Sequence, residues 1–253
     1  MAQVIVTSDV YLALSTYALS TEKEEVLAML LGSTSADSQI AIITHCLFCQ
    51  RKDKRKDRVE ISSEQLSQAI NYAESTGTSV IGWAHSHPHI TVLPSHVDLR
   101  CQRDQQMLSD TFIGLILSVF NDFMGIQKCQ FIAFRSVSDG GELVRQEVPV
   151  YIQANSKGIT PSSLDQLFRI PQIFLQEENE FFTKAISGGN AGRSKEEGEG
   201  LMVAMETSHY SGLYVRNMTS VLDKLVVPLV EAVESRLVRN ANEIALLRER
   251  LKQ

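Results

Sequence analysis

The stretch HSHPHITVLPSHVD (residues 85–98) holds four of the chain's six histidines together with a serine and an aspartate. It follows SVIGWA (79–84), an apolar segment that reads as a strand, and it closes on Ser-x-x-Asp, a helix-start pattern. Side chains two apart on a strand share a face, so His85 and His87 can turn both imidazoles toward one ion. Pro88 then ends ladder pairing. The residues between His87 and Ser95 give a loop, and the segment from Ser95 starts a helix that carries Asp98 in its first turn. Two imidazoles and a carboxylate, with a fourth position left to water, make a catalytic zinc set. A His-x-His pair alone is more often a polar pair on a sheet or surface. The full spacing H-x-H-x7-S-x-x-D is far more demanding.

Outward from this stretch, strands and helices alternate over the first two thirds of the chain. VIVTSDVYLALSTYAL (4–19) reads as a strand and then a helix. STEKEEVLAMLLG (20–32) carries a Thr21–Glu24 capping-box pattern and a Gly32 stop, which predicts a second helix. SQIAIITHCLFCQ (38–50) predicts a strand that ends at the charge run RKDKRKDR (51–58), a solvated loop or hairpin tip. SSEQLSQAINYAESTG (62–77) predicts a helix with Leu66, Ile70, Tyr72 and Ala73 on its apolar face. SHVDLRCQRDQQML (95–108) predicts another helix, and FIGLILSVF (112–120), GIQKCQFIAFRSV (125–137) and LVRQEVPVYIQ (143–153) predict strands. The fold class is therefore α/β or α+β, with a mixed sheet flanked by helices.

Past residue 160 the pattern turns helical. The domain at 1–160, extending to about 180 with a following helix, gives way to SGGNAGRSKEEGEG (187–200), in a Gly-rich charged loop spanning 186–200 that cannot bury a core. Residues 201–253 are expected to be helices. There Val226, Val230, Val233, Leu237, Ala241, Ile244, Leu247 and Leu251 recur at near-heptad spacing, a coiled-coil stripe that needs a cover.

Composition narrows the function. A chain of 253 residues with 43% hydrophobic residues can bury a core without staples, and a net charge of -6 offers no broad attraction to nucleic acid or anionic membrane. The N-terminal stretch does not read as a signal peptide, and FIGLILSVF is too short to span a bilayer. Cys46, Cys49, Cys101 and Cys129 lack framework spacing, which predicts a cytoplasmic or nuclear protein. HCLFC (45–49) invites a second zinc, but no second C-x-x-C completes it, and alternation would part Cys46 from Cys49; buried free thiols are expected.

Within GWAHSHPHITVLPSHVD the pattern resembles, position by position, the JAMM signature of the MPN+ zinc metalloprotease family. The likeness extends through STEKEEVLAML upstream and LVRNANEIALLRERLKQ at the end, so it covers nearly the whole chain. It implies an MPN domain of cytidine-deaminase-like architecture with a C-terminal helical extension. It also implies a deubiquitinase that holds one Zn2+ through His85, His87 and Asp98. The substrate it implies is lysine-63-linked polyubiquitin, cleaved when the enzyme is paired, through its C-terminal helices, with a catalytically silent pseudo-MPN scaffold. That pair is expected to double into a dimer of heterodimers.

The family takes its general base from a glutamate on an early helix, and Glu22, Glu24 and Glu25 compete here. Glu24 is accounted for as the capping partner of Thr21, and Glu22 by the helix dipole. Glu25 remains, three residues before a small residue as in the family, although Ala28 stands where glycine is usual. The resemblance gives Ser95 a second role beside its cap, stabilising the oxyanion. Ala84 replaces the tyrosine usual in close relatives, Trp83 is expected in the core beside the site, and His89 and His96 fall outside the ligand pattern. Two other readings stay open: an inactive MPN scaffold, which would be expected to lose ligands, and an unrelated zinc hydrolase acting on small amides.

Overall fold

A computed structural model describes residues 1–37, 39–51, 61–155, 158–190 and 199–252. These fall into two compact units, Met1–Arg169 and Ile170–Gln253. The first is built on eight strands: β1 (Gln3–Thr7), β2 (Leu27–Thr34), β3 (Ile40–Cys49), β4 (Ser79–Pro88), β5 (Ile113–Phe123), β6 (Ile126–Asp139), β7 (Glu142–Val148) and β8 (Val150–Gln153). They form one sheet in the order β7-β6-β5-β4-β2-β3-β1-β8. β4 runs parallel to β5, and β1 runs parallel to both β3 and β8, while the other neighbours are antiparallel. The sheet is mixed, as the alternating pattern predicts.

Helix α1 (Ser8–Ala18) packs on β3 and β4 through Val10, Leu14 and Tyr17. Helices α2 (Ser63–Thr76) and α3 (His96–Leu108) cover a cluster that includes Met29, Leu31, Trp83, Leu99, Ile116 and Phe134. α2 starts with a Ser62–Gln65 capping box and ends on Gly77 in the left-handed region, where only glycine escapes the Cβ penalty. Gln65, Ala69 and Ala73 are buried, with Leu66 and Tyr72 packed against the cluster; of the expected face only Ile70 turns outward, 44% exposed. Small residues let this helix lie close to the sheet.

The largest departure from expectation is at residues 20–34. No helix forms there: residues 20–26 are irregular and Leu27–Thr34 is strand β2, inserted between β3 and β4. Its residues from Leu27 to Gly32 are buried on both faces, and such a continuous apolar run has the same composition as a buried helix. Thr21 makes only a local contact with the Lys23 amide, and Glu24 pairs with Arg51 instead of capping. Gly32 does not stop a helix; a Cβ there would lie 1.9 Å from the Ile42 carbonyl oxygen, so glycine permits the close approach of β3 at a register shift.

Two further boundaries shift. LVRQEVPVYIQ is two strands, because Pro149 has no N–H to give a ladder: β7 pairs with β6 and β8 with β1 at opposite ends of the sheet. Helix α4 (Pro161–Asn190) runs past residue 186, and α5 begins at Glu199, so the expected 186–200 loop is helical at both ends; residues 191–198 lie outside the described residues. So do residues 52–58 of the charge run.

In the second unit α5 (Glu199–Val221) passes through a π turn, Leu222–Val226, into α6 (Val227–Arg250). Pro228 lacks an N–H and crowds the carbonyl four residues back, and the wider π turn accommodates both. α4 and α5 are zipped by the ring pairs Phe181–Tyr210 and Phe182–Tyr214 and by a hydrogen bond from Asn217 to Glu178. No residue of α6 is buried.

Candidate metal centre

The site forms where the end of β4 meets the first turn of α3. His85 and His87 share with Trp83 the face of β4 turned toward α3, whereas Ala84 and Ser86 face α1. Their Nε2 atoms lie 3.0 Å apart. Asp98 comes from α3, with Oδ1 3.5 Å from His85 Nε2 and Oδ2 3.7 Å from His87 Nε2. The three side chains are all buried, and they are the one group of potential metal ligands found among the described residues.

Local bonds place each ligand. Asp98 is the N3 residue of a capping box: Ser95 Oγ accepts from the Asp98 amide at 3.2 Å, and the Ser95 amide donates to Asp98 Oδ2 at 2.6 Å. His87 Nδ1 lies 2.6 Å from the Thr91 carbonyl oxygen, which can only accept, so Nδ1 carries the proton and donates. A neutral His87 therefore presents the lone pair of Nε2 to the site. His85 Nδ1 is buried with no hydrogen-bond partner; its ring stacks on Trp83, centroids 4.6 Å apart and planes 15° from parallel.

The electrostatics suit a cation. Burial disfavours a charge on His85 and lowers its pKa. Burial acts in the same sense on His87, but Asp98, the Thr91 carbonyl and Glu25 outweigh it and raise its pKa. Burial alone would raise the Asp98 carboxyl, yet hydrogen bonding to both imidazoles and to Ser95 holds it far below the usual carboxylate range. Two imidazole nitrogens and a carboxylate oxygen converge within 4.8 Å of one another, a ligand set suited to a zinc-type ion.

Glu25 reaches the same place from the irregular segment before β2, not from a helix. Its Oε1 lies 4.0 Å from His87 Nε2, and it is 7% exposed. The segment is fastened by Ser86, whose Oγ accepts from the Val26 amide at 2.9 Å and whose amide donates to the Val26 carbonyl at 3.1 Å. Thus the serine between the two histidines holds the neighbour of Glu25 from the other face of the strand. Glu22 is drawn outward to His89, 2.8 Å away on the surface, and His96 is exposed at the start of α3. Neither histidine joins the cluster.

Ala84 and Ala28 are register partners and are both buried; they border a small apolar gap beside Tyr17, Val26 and His85, on the α1 face. Cys46 and Cys49 are buried free thiols, Cys49 in the cluster under α2 and α3 and Cys46 on the side of Asp9. Burial pushes the Cys49 thiol up to about 12. Sequence reasoning missed Gln102, wholly buried, whose side-chain oxygen accepts from Trp83 Nε1 at 2.7 Å. Its spacing of four from Asp98, on the same helix face, was the available signal.

A buried cluster of two histidines and an aspartate with an adjacent glutamate, on a mixed sheet, defines a metal-dependent hydrolase. Residues 1–111 match the JAB1/Mov34/MPN/PAD-1 ubiquitin protease family, and residues 163–253 match the BRCC36 C-terminal helical domain. The chain belongs to the JAB1/Mov34/MPN/PAD-1 family. It is 34% identical to the Lys-63-specific deubiquitinase BRCC36 of Xenopus tropicalis, over 98% of this chain and 95% of the relative. The protein of the same name from Camponotus floridanus is 33% identical, covering 100% and 95%, and that from Homo sapiens 31%, covering 94% and 90%.

Proposed function

We propose that this chain hydrolyses the isopeptide bond of lysine-63-linked polyubiquitin, with Zn2+ held by His85, His87 and Asp98. The observation that carries the reading is the convergence of these three ligands with Glu25 only 4.0 Å from His87 Nε2. The chain's likeness to deubiquitinases of that linkage supports the substrate. Bound zinc supplies an acidified water and a Lewis acid for the scissile carbonyl. Glu25 takes the proton of the attacking water and later delivers it to the leaving lysine amine as the C–N bond breaks. Ser95, whose oxygen accepts from the Asp98 amide, still has its O–H to donate to the carbonyl oxygen as negative charge develops there. Water is the nucleophile; the buried thiols stay protonated and take no part.

The enzyme works paired, through its C-terminal helices, with a pseudo-MPN scaffold, and the pair doubles into a dimer of heterodimers. The exposed stripe on α6 supports this pairing. Its setting is the cytoplasm and nucleus, where its four cysteines stay reduced as thiols. An inactive-scaffold reading is disfavoured by the complete ligand set.

The test is zinc content together with cleavage of linkage-defined ubiquitin chains, with and without the scaffold, for wild type and Glu25→Gln. The variant is expected to keep its zinc and lose roughly 10²- to 10⁴-fold in rate. Full activity in Glu25→Gln would refute the base, and activity without zinc would refute the mechanism.

A further inference from the structure

The two elements that bring the ligands together are joined by a second, non-ligand rung. Asp98 and Gln102 lie four apart on one face of α3, and Trp83 and His85 lie two apart on one face of β4. The outer rung is Asp98 to His85, at 3.5 Å. The inner rung is Gln102 Oε1 to Trp83 Nε1, at 2.7 Å, between two wholly buried side chains. Whatever holds the inner rung sets the separation of α3 and β4 at the outer one.

The Gln102 amide has one orientation only. An indole N–H is solely a donor, so Oε1 must face Trp83. The Phe112 carbonyl is solely an acceptor, so Nε2 must face it, at 2.8 Å. Nε2 also donates to Gln106 Oε1 at 2.8 Å, and Gln106 in turn bonds the backbone of Ser136 on β6 in both senses, each at 2.9 Å. Gly114 on β5 leaves the room: a Cβ there would come within 3.0 Å of Gln102 Oε1 and 2.5 Å of the Phe134 ring. The relay therefore ties α3 to β4, to Phe112 just before β5, and to β6 through two linked side-chain amides.

His85 needs such support more than His87 does. The His87 ring is fixed by its bond to Thr91, whereas His85 Nδ1 has no partner and its plane is set by the stack on Trp83. The indole in turn is pinned by Gln102.

We propose that Gln102 is a positioning residue for the metal centre: through Trp83 and Gln106 it fixes the His85 ring and the approach of Asp98, and so sets the affinity of the site for its ion. This rests on the reading of His85, His87 and Asp98 as ligands.

The test is competitive zinc titration of the full chain against a chromophoric chelator, with melting temperatures measured in parallel. Wild type should bind zinc and His87→Ala should not. Gln102→Leu, matched in size but without the amide, should bind about ten- to a hundredfold more weakly, as is typical when a supporting partner of a ligand is removed. Gln106→Leu, at the less buried end of the relay, should show a smaller fall in the same direction. Ile43→Ala, in the core on β3, supplies a variant of lowered melting temperature whose zinc affinity should stay at the wild-type value. Wild-type affinity in Gln102→Leu would overturn the proposal. Should that variant not fold, unchanged affinity in Gln106→Leu would overturn it. Weakened affinity in Ile43→Ala, in step with its melting temperature, would also overturn it by making stability the cause. A wild-type chain that binds no zinc would refute the ligand reading itself.

Discussion

The metal centre and the last helix are opposite kinds of surface. Around the centre every ligand is buried, and each is oriented by a neighbour: Asp98 by Ser95, His87 by Thr91, His85 by Trp83. Along α6, Val230, Leu237, Ile244 and Leu247 are between 43% and 63% exposed, on a spacing that makes one stripe. The first region answers its own packing demands within Met1–Arg169. The second presents apolar surface that its own unit leaves uncovered. Chemistry is thus assembled inside one chain, while the helical unit is shaped for another.

If the first region is self-sufficient, damage within it should register in the isolated chain. The largest effect is expected from Asp98→Ala, which removes a ligand and the carboxylate of the capping box together. Zinc should no longer bind to the isolated chain, and the lost cap costs about 1 kcal/mol; cleavage, read in the chain paired with its scaffold, should fall to background. Asp98→Asn keeps an oxygen for the Ser95 amide and separates the two roles: it should lose the metal but recover most of the stability. Zinc titration and thermal melts read both. Zinc at a thousandfold over its Kd should add about 4 kcal/mol to wild type and nothing to Asp98→Ala.

A smaller effect is expected at Asp9, where α1 meets the start of α4. Its Oδ2 accepts from Thr160 at 2.7 Å and from Ser163 at 2.8 Å. Burial alone would raise this carboxyl, but the hydroxyls outweigh burial and hold it at about 2. Because the folded pKa is depressed, the bonus to stability is complete above the ordinary pKa of about 4 and is lost as pH falls toward 2. Asp9→Ala should cost about 2 kcal/mol at neutral pH and flatten the stability profile between about pH 4 and 2, as followed by denaturant melts. A wild-type profile without that slope would break the assignment.

How much of this was legible in the sequence follows from how local each feature is. The convergence of His85, His87 and Asp98 was legible because the histidines are related by strand period and Asp98 is placed by a capping pattern, and both travel with the chain. Strand β2 was not: its apolar run carries no period when both faces are buried, and only its place between β3 and β4 decides the matter. The same error put Glu25 on a helix, although it reaches the centre from an irregular segment pinned by Ser86. Glu25 still lies beside the cluster despite the wrong backbone, while Glu22 and Glu24 are drawn off to His89 and Arg51, partners that only tertiary structure brings near. For Gln102 the sequence offered only its helix face, four residues on from Asp98; its partner on β4, nineteen residues away, was illegible for the same reason.

The α6 stripe gives the smallest effect on the chain by itself, and that is its diagnostic value. Leu237 is 63% exposed, so Leu237→Glu removes little buried surface and should change the stability of the isolated chain by no more than about 0.5 kcal/mol. Zinc affinity should be unchanged as well. In the presence of a pseudo-MPN scaffold the same substitution places a carboxylate where two helices would meet, and co-elution on size exclusion should be lost. Because the damaged surface is not part of the metal centre, any loss of cleavage should track the loss of the complex. If Leu237→Glu instead unfolded the isolated chain, the stripe would be packing within the chain, and the contrast between a finished centre and an unfinished helix would fail.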